Sequence, residues 1–122
     1  MSSLYEQVGG QPFFDTLVER FYEGVVDDAV LRPMYPDDLT EPKRHLALFL
    51  AQYWGGPGTY SDERGHPRLR MRHAPFVVDE AASEAWLTHM TAAVRAASLP
   101  GELEAALLDY FTNAATFLIN SA

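Results

Sequence analysis

The 122 residues suit one domain, residues 1–122, long enough to bury roughly two-thirds of its unfolded surface. Nine Lys and Arg against seventeen Asp and Glu give a net charge of −8, which argues against nucleic acid and anionic membranes as partners. Cysteine is absent, so disulfides, thiolate zinc sites, iron–sulfur clusters and cysteine nucleophiles drop out, as fits a cytoplasmic protein.

In chain order, residues 3–8 form a short predicted helix ended by Gly9-Gly10. Pro12 opens a clear helical pattern of Phe14, Leu17, Val18, Phe21, Tyr22 and Val25, with Asp15, Glu19, Arg20 and Glu23 on the opposite face. Tyr22 lies inside that apolar stripe, where its hydroxyl needs a partner. Asp27-Asp28 and the run from Pro33 to Asp38 read as a turn-rich corner holding Tyr35, with one helical turn at 28–33. Thr40 is the expected cap of the next helix, with Pro42 in its first turn. The stripe there is Leu46, Phe49, Leu50 and Tyr53, with His45 at its edge and Gly55-Gly56-Pro57 as the stop.

Residues 55–66 read as a polar loop. Asp79 caps a long helix with Ala82, Ala85, Trp86, Met90, Ala93, Val94 and Ala97 inward. Small residues dominate that face, so Trp86 stands out, and its indole N–H needs an acceptor. His89, three residues on, shares that face or points to water. Pro100-Gly101 then precedes a last helix with Leu103, Leu107, Tyr110, Phe111, Ala114, Phe117 and Leu118 at helical spacing. Val77-Val78 is too short to require a strand partner, so the fold class is all-α. The N-terminus is not a signal peptide, and no apolar stretch approaches the ~18–20 residues that span a bilayer.

The stretch from Gly65 to Phe76 organises the rest. Pro67 suits the first position of a helix, and Pro75 biases Ala74 out of the α region, so a helix here stops near His73. Leu69 and His73, four residues apart, share one face, which turns the imidazole inward. Such a histidine is either a hydrogen-bonded core residue or a metal or haem-iron ligand. Arg64, Arg68, Arg70 and Arg72 cluster beside it, in line with a local anionic partner or a solvated loop. No GxSxG, P-loop, GxGxxG or HExxH motif is present, and histidines 45, 66, 73 and 89 match no common metal-ligand spacing. One inward His with OH and N–H donors in a core rich in Phe, Leu and Met suits a haem pocket.

The chain resembles the truncated haemoglobins, and within them the second group. The likeness runs through Gly9-Gly10, Arg20-Phe21-Tyr22, Tyr35-Pro36, Phe49-Leu50 and Gln52-Tyr53-Trp54-Gly55-Gly56-Pro57. It continues through Gly65-His66-Pro67-Arg68-Leu69-Arg70-Met71-Arg72-His73-Ala74-Pro75-Phe76 and Ala85-Trp86-Leu87. The resemblance implies a two-over-two helical sandwich holding haem b, iron protoporphyrin IX. It implies His73 as proximal iron ligand, Tyr22, Tyr35 and Trp86 as the distal donors, Leu46 and Phe49 as haem-lining residues, and Arg72 as a propionate partner. Pro42 departs from the pattern, standing where the group usually carries a small residue at the distal entrance.

The implied ligands are O2, NO, CO or peroxide. Several hydrogen bonds to bound O2 slow its release, which favours redox chemistry on the ligand, such as NO dioxygenation or peroxide turnover, with an external electron donor. Two other classes stand beside that reading: a reversible oxygen-binding or sensing globin, and a haem-free helical interaction module. The resemblance also allows a homodimer.

Overall fold

The Ser3 hydroxyl starts α1 (Leu4–Gln7) by accepting the Glu6 N–H at 3.2 Å. The helix stops at Gly9-Gly10, both at positive φ (101° and 81°), where the chain turns into α2 (Gln11–Val26). The computed structural model describes residues 2–68 and 78–120, and every regular element among them is helical. Pro12 sits in the first turn of α2, where its missing N–H has no intrahelical partner to lose. The six residues expected on the inner face of α2, Phe14, Leu17, Val18, Phe21, Tyr22 and Val25, are all buried.

The corner after α2 differs in detail from expectation. Its one regular turn is a 3-10 turn at Arg32–Met34, later than 28–33, because Asp28 takes up the preceding amides. Its Oδ1 accepts the N–H groups of Val30 at 2.8 Å and Leu31 at 3.1 Å. Helix α3 (Thr40–Tyr53) is capped at Leu39 rather than Thr40. The Asp38 carboxylate accepts the Thr40 N–H at 2.9 Å, so Thr40 is already inside the helix. Pro42 falls in that first turn without breaking the helix.

The inner face of α3 is Ala47, Leu50 and Ala51. Leu46 and Phe49 are half-buried, and Tyr53 is 54% exposed, contrary to the stripe read from spacing. Small alanines let α2 and α3 approach closely, which pushes the larger side chains to the flanks. Phe117 is likewise 53% exposed.

Residues 55–66 are not a plain loop, since Thr59–Arg64 forms a helix, α4. Six residues do not hold a helix in water alone. Tertiary contacts hold this one. Gln52 clamps Ser61 from both ends, donating to its Oγ at 2.8 Å and accepting its N–H at 3.0 Å. Arg44 forks onto Glu63 with two 2.6 Å bonds, and Tyr60 buries edge-on against Phe49 at 5.5 Å. Pro67 and Arg68 are outside any helix, and the turn expected to end at His73 lies otherwise outside the described residues.

Asp79 caps α5 (Glu80–Ala96) as expected, accepting the Ala82 N–H at 2.9 Å. Helix α6 (Gly101–Phe117) follows Pro100 and buries Leu107, Phe111 and Ala115. Ser83 of α5 donates its hydroxyl to the Ala115 carbonyl of α6 at 2.8 Å. Val78 and Asn120 exchange two 2.8 Å bonds, tying the start of α5 to the end of the described chain. Helix α2 packs on α3 and α5 packs on α6, while α2 also crosses α5. The result is a two-over-two helical sandwich around Phe14, Phe21, Leu50, Met90, Leu107 and Phe111. Among the described residues no helix is long and apolar enough to cross a membrane.

Candidate functional site

Between the two helix pairs lies a cavity of about 210 Å³, lined from α2, the corner, α3, α4, α5 and α6. Five of the side chains singled out from the sequence meet on its wall: Tyr22, Tyr35, Leu46, Phe49 and Trp86. They come from four separate segments of chain. Arg72 and His73 lie outside the described residues.

Tyr22 and Tyr35 bring two hydroxyls to the wall. Their rings meet edge-on with centroids 5.4 Å apart, which sets the two hydroxyl-bearing side chains against each other. Burial pushes the Tyr35 hydroxyl up to about 12, and burial with the Tyr35 neighbour raises Tyr22 further, so both stay protonated donors at neutral pH. Trp86 is held edge-on between Phe21 of α2 and Phe111 of α6, at 5.7 Å from each. These two ring contacts favour one orientation of the indole.

The rest of the wall is mostly apolar. Sequence reading missed Tyr60, which it placed in a loop, and gave Leu50, Tyr110, Phe111, Ala114 and Leu118 no more than core positions. Tyr60 was legible only as an aromatic stranded in a polar run. Pro42 and His45 complete the lining on α3. His45 is placed as a neutral ring: Nε2 lies 3.2 Å from Glu41 Oε2, while Nδ1 lies 3.2 Å from Arg64 Nη1. Its pKa is lowered, first by burial and then by the Arg64 charge.

Haem needs apolar walls, oriented donors on one side and cations at its edge. The lining supplies the walls through Leu46, Phe49, Phe111 and Leu118 and the donors through two tyrosines and a tryptophan, while Arg64, outside the lining, sets a cation 3.2 Å from the lining residue His45. These residues fit the group.

The sequence model of the bacterial-like globins matches residues 3–120. The chain belongs to that family, in the second group of the truncated haemoglobins. It is 40% identical to the group 2 truncated haemoglobin YjbI of Bacillus subtilis, over 95% of this chain and 87% of that protein. The thermostable haemoglobin of Thermobifida fusca superposes with a TM-score of 0.96 at 52% identity, covering 98% of each chain. The truncated oxygen-avid haemoglobin of Bacillus subtilis superposes with a TM-score of 0.92 at 39% identity, over 98% of this chain and 100% of that one. As a truncated haemoglobin, the chain binds haem and small diatomic ligands such as O2. The two-over-two sandwich is the fold it shares with these structures.

Proposed function

We propose that this truncated haemoglobin holds haem b through His73 and retains O2 long enough for redox chemistry on the bound ligand. When bound, haem supplies the iron at which O2, NO, CO or peroxide binds and takes up negative charge. The observation that carries the reading is the convergence of Tyr22, Tyr35 and Trp86 on one cavity.

Each of the three carries an O–H or N–H and lines a region walled mostly by apolar side chains. Such donors act strongly, because little water competes with them and little reorganisation is needed. Tyr22 donates to the Tyr35 oxygen, an order supported by the way their hydrogen bond raises the one and lowers the other. That leaves the Tyr35 hydrogen for the ligand. Trp86 is donor only, so its N–H serves the same end. Each well-placed bond slows ligand loss by about 5- to 150-fold, for about 1–3 kcal/mol. Retention of this kind suits oxidation of NO or turnover of peroxide, with electrons from an external donor, better than delivery of O2. The oxygen-avid character named for the Bacillus subtilis structure is in line with it. His73 as the iron ligand and Arg72 as the propionate partner rest on the sequence resemblance.

The test is to load the protein with hemin and record ferric, ferrous and CO-bound spectra, then O2 dissociation by stopped flow. Imidazole-ligated haem spectra and slow dissociation, accelerated in Trp86→Phe and Tyr35→Phe, support the proposal. Unchanged rates in both variants would remove the distal donors from the mechanism. Slow release without turnover of NO or peroxide would leave a binding or sensing globin.

A further inference from the structure

Tyr22, Tyr35 and Trp86 sit on three different elements, and one imidazole touches all three elements. His89 lies three residues beyond Trp86 on α5, on the same side of the helix. Its Nε2 stands 2.7 Å from Asp28 Oδ2, at the start of the corner that carries Tyr35. The other oxygen of that carboxylate accepts the Val30 and Leu31 amides, so Asp28 is engaged from both sides. The opposite edge of the ring, Nδ1, lies against Gly24 of α2, two residues after Tyr22. A Cβ at position 24 would overlap the ring, so the contact requires glycine there. Arg32 then closes the corner, donating to the Tyr35, Pro36 and Asp37 carbonyls at 3.3, 3.0 and 3.2 Å.

We propose that His89 is a positioning residue for the ligand-binding site, setting where the Tyr22, Tyr35 and Trp86 donors stand relative to one another. The proposal rests on the reading of those three as ligand donors. His89 is not part of the cavity wall, so it acts on the ligand only through them. A hydrogen bond weakens steeply with a few tenths of an ångström or a poor angle. A single group that locks α2, the corner and α5 together is therefore sufficient to tune all three donors at once. Facing the Asp28 carboxylate, Nε2 is the protonated nitrogen, and a glutamine amide at position 89 would present a donor from nearly the same place.

The experiment uses the hemin-loaded full chain. The C–O stretching band of the ferrous CO complex is read by infrared, O2 dissociation by stopped flow, and stability by thermal unfolding. His89→Leu is expected to shift or broaden the C–O band and to speed O2 release by about 5- to 50-fold, as partial loss of one to two hydrogen bonds would. His89→Gln is expected to restore the band and the rate. Gly24→Ala, which keeps both polar partners and only displaces the ring, is expected to move the band in the same direction as His89→Leu. If His89→Leu and Gly24→Ala lower the melting temperature but leave band and rate as in wild type, while Trp86→Phe changes them, His89 is a structural contact and the proposal is overturned. If Trp86→Phe and Tyr35→Phe also leave the band unmoved, the donor reading falls and takes this proposal with it.

Discussion

The Tyr22 and Tyr35 rings meet edge-on at 5.4 Å, although one lies on a helix and the other in the corner beyond it. With Tyr22 donating to Tyr35, as proposed above, the two tyrosines are not equivalent toward a ligand. We expect Tyr35→Phe to accelerate O2 dissociation by about 5- to 150-fold, the equivalent of about 1–3 kcal/mol. Tyr22→Phe is expected to have a smaller effect, because it removes only the bond that orients Tyr35. Stopped-flow rates in the two variants check the order, and a larger effect at position 22 would reverse the assignment.

His73 is expected to be indispensable for haem retention. His73→Ala should lose most of its haem on gel filtration, and hemin titration should show weakened binding while the helical content stays near that of the wild type. Full retention of haem by the variant would remove His73 from the proximal role.

Core packing away from the cavity is open to a separate test. Phe14 is fully buried, between Tyr5 and Trp54 in nearly parallel stacks at 6.1 Å each. Phe14→Ala is expected to cost about 3–5 kcal/mol of stability in denaturant unfolding, with little change in the ligand spectrum. A loss below about 1 kcal/mol would mean that the neighbouring rings collapse into the space.

Acid should weaken the fold in two stages. The His45 pKa is lowered by burial and by Arg64, so the unfolded chain takes up that proton first as pH falls below about 6.5. Stability therefore declines from about pH 6.5 downward, and His45→Gln should flatten that part of the curve. Asp28 is held below the usual carboxylate range, chiefly by the hydrogen bond from His89 and then by the Leu31 amide. Its contribution is complete above the unfolded value of about 3.9 and is lost as pH falls through the lower folded value. Denaturant midpoints from pH 7 to pH 3 measure both stages, and Asp28→Asn should reduce the second, which Asp38 and Glu63, also held below the usual carboxylate range by their hydrogen bonds, share.

The buried stripe of α2, the Asp79 cap and the inward-facing Trp86 were legible because each depends on residues within a few positions of one another. Helix α4 was not. Its hold comes from Gln52 and Arg44 on another helix, and local composition carries no trace of them. The outward turn of Tyr53 was hidden for a related reason: helical spacing marks a face, while the width of the buried strip depends on how closely α2 approaches α3.

The sequence by itself determined the helical fold class and pointed to the family. Periodicity, caps and breakers act over one or two turns, and the run around His73 is specific enough to point to a family. Only the tertiary structure decided that Tyr22, Tyr35 and Trp86 share one cavity, that the Tyr22 and Tyr35 rings meet edge-on, and that His89 bridges to Asp28 across sixty-one positions of chain. Those relationships are set by how helix pairs cross, and the crossing depends on the summed packing of faces rather than on any short segment.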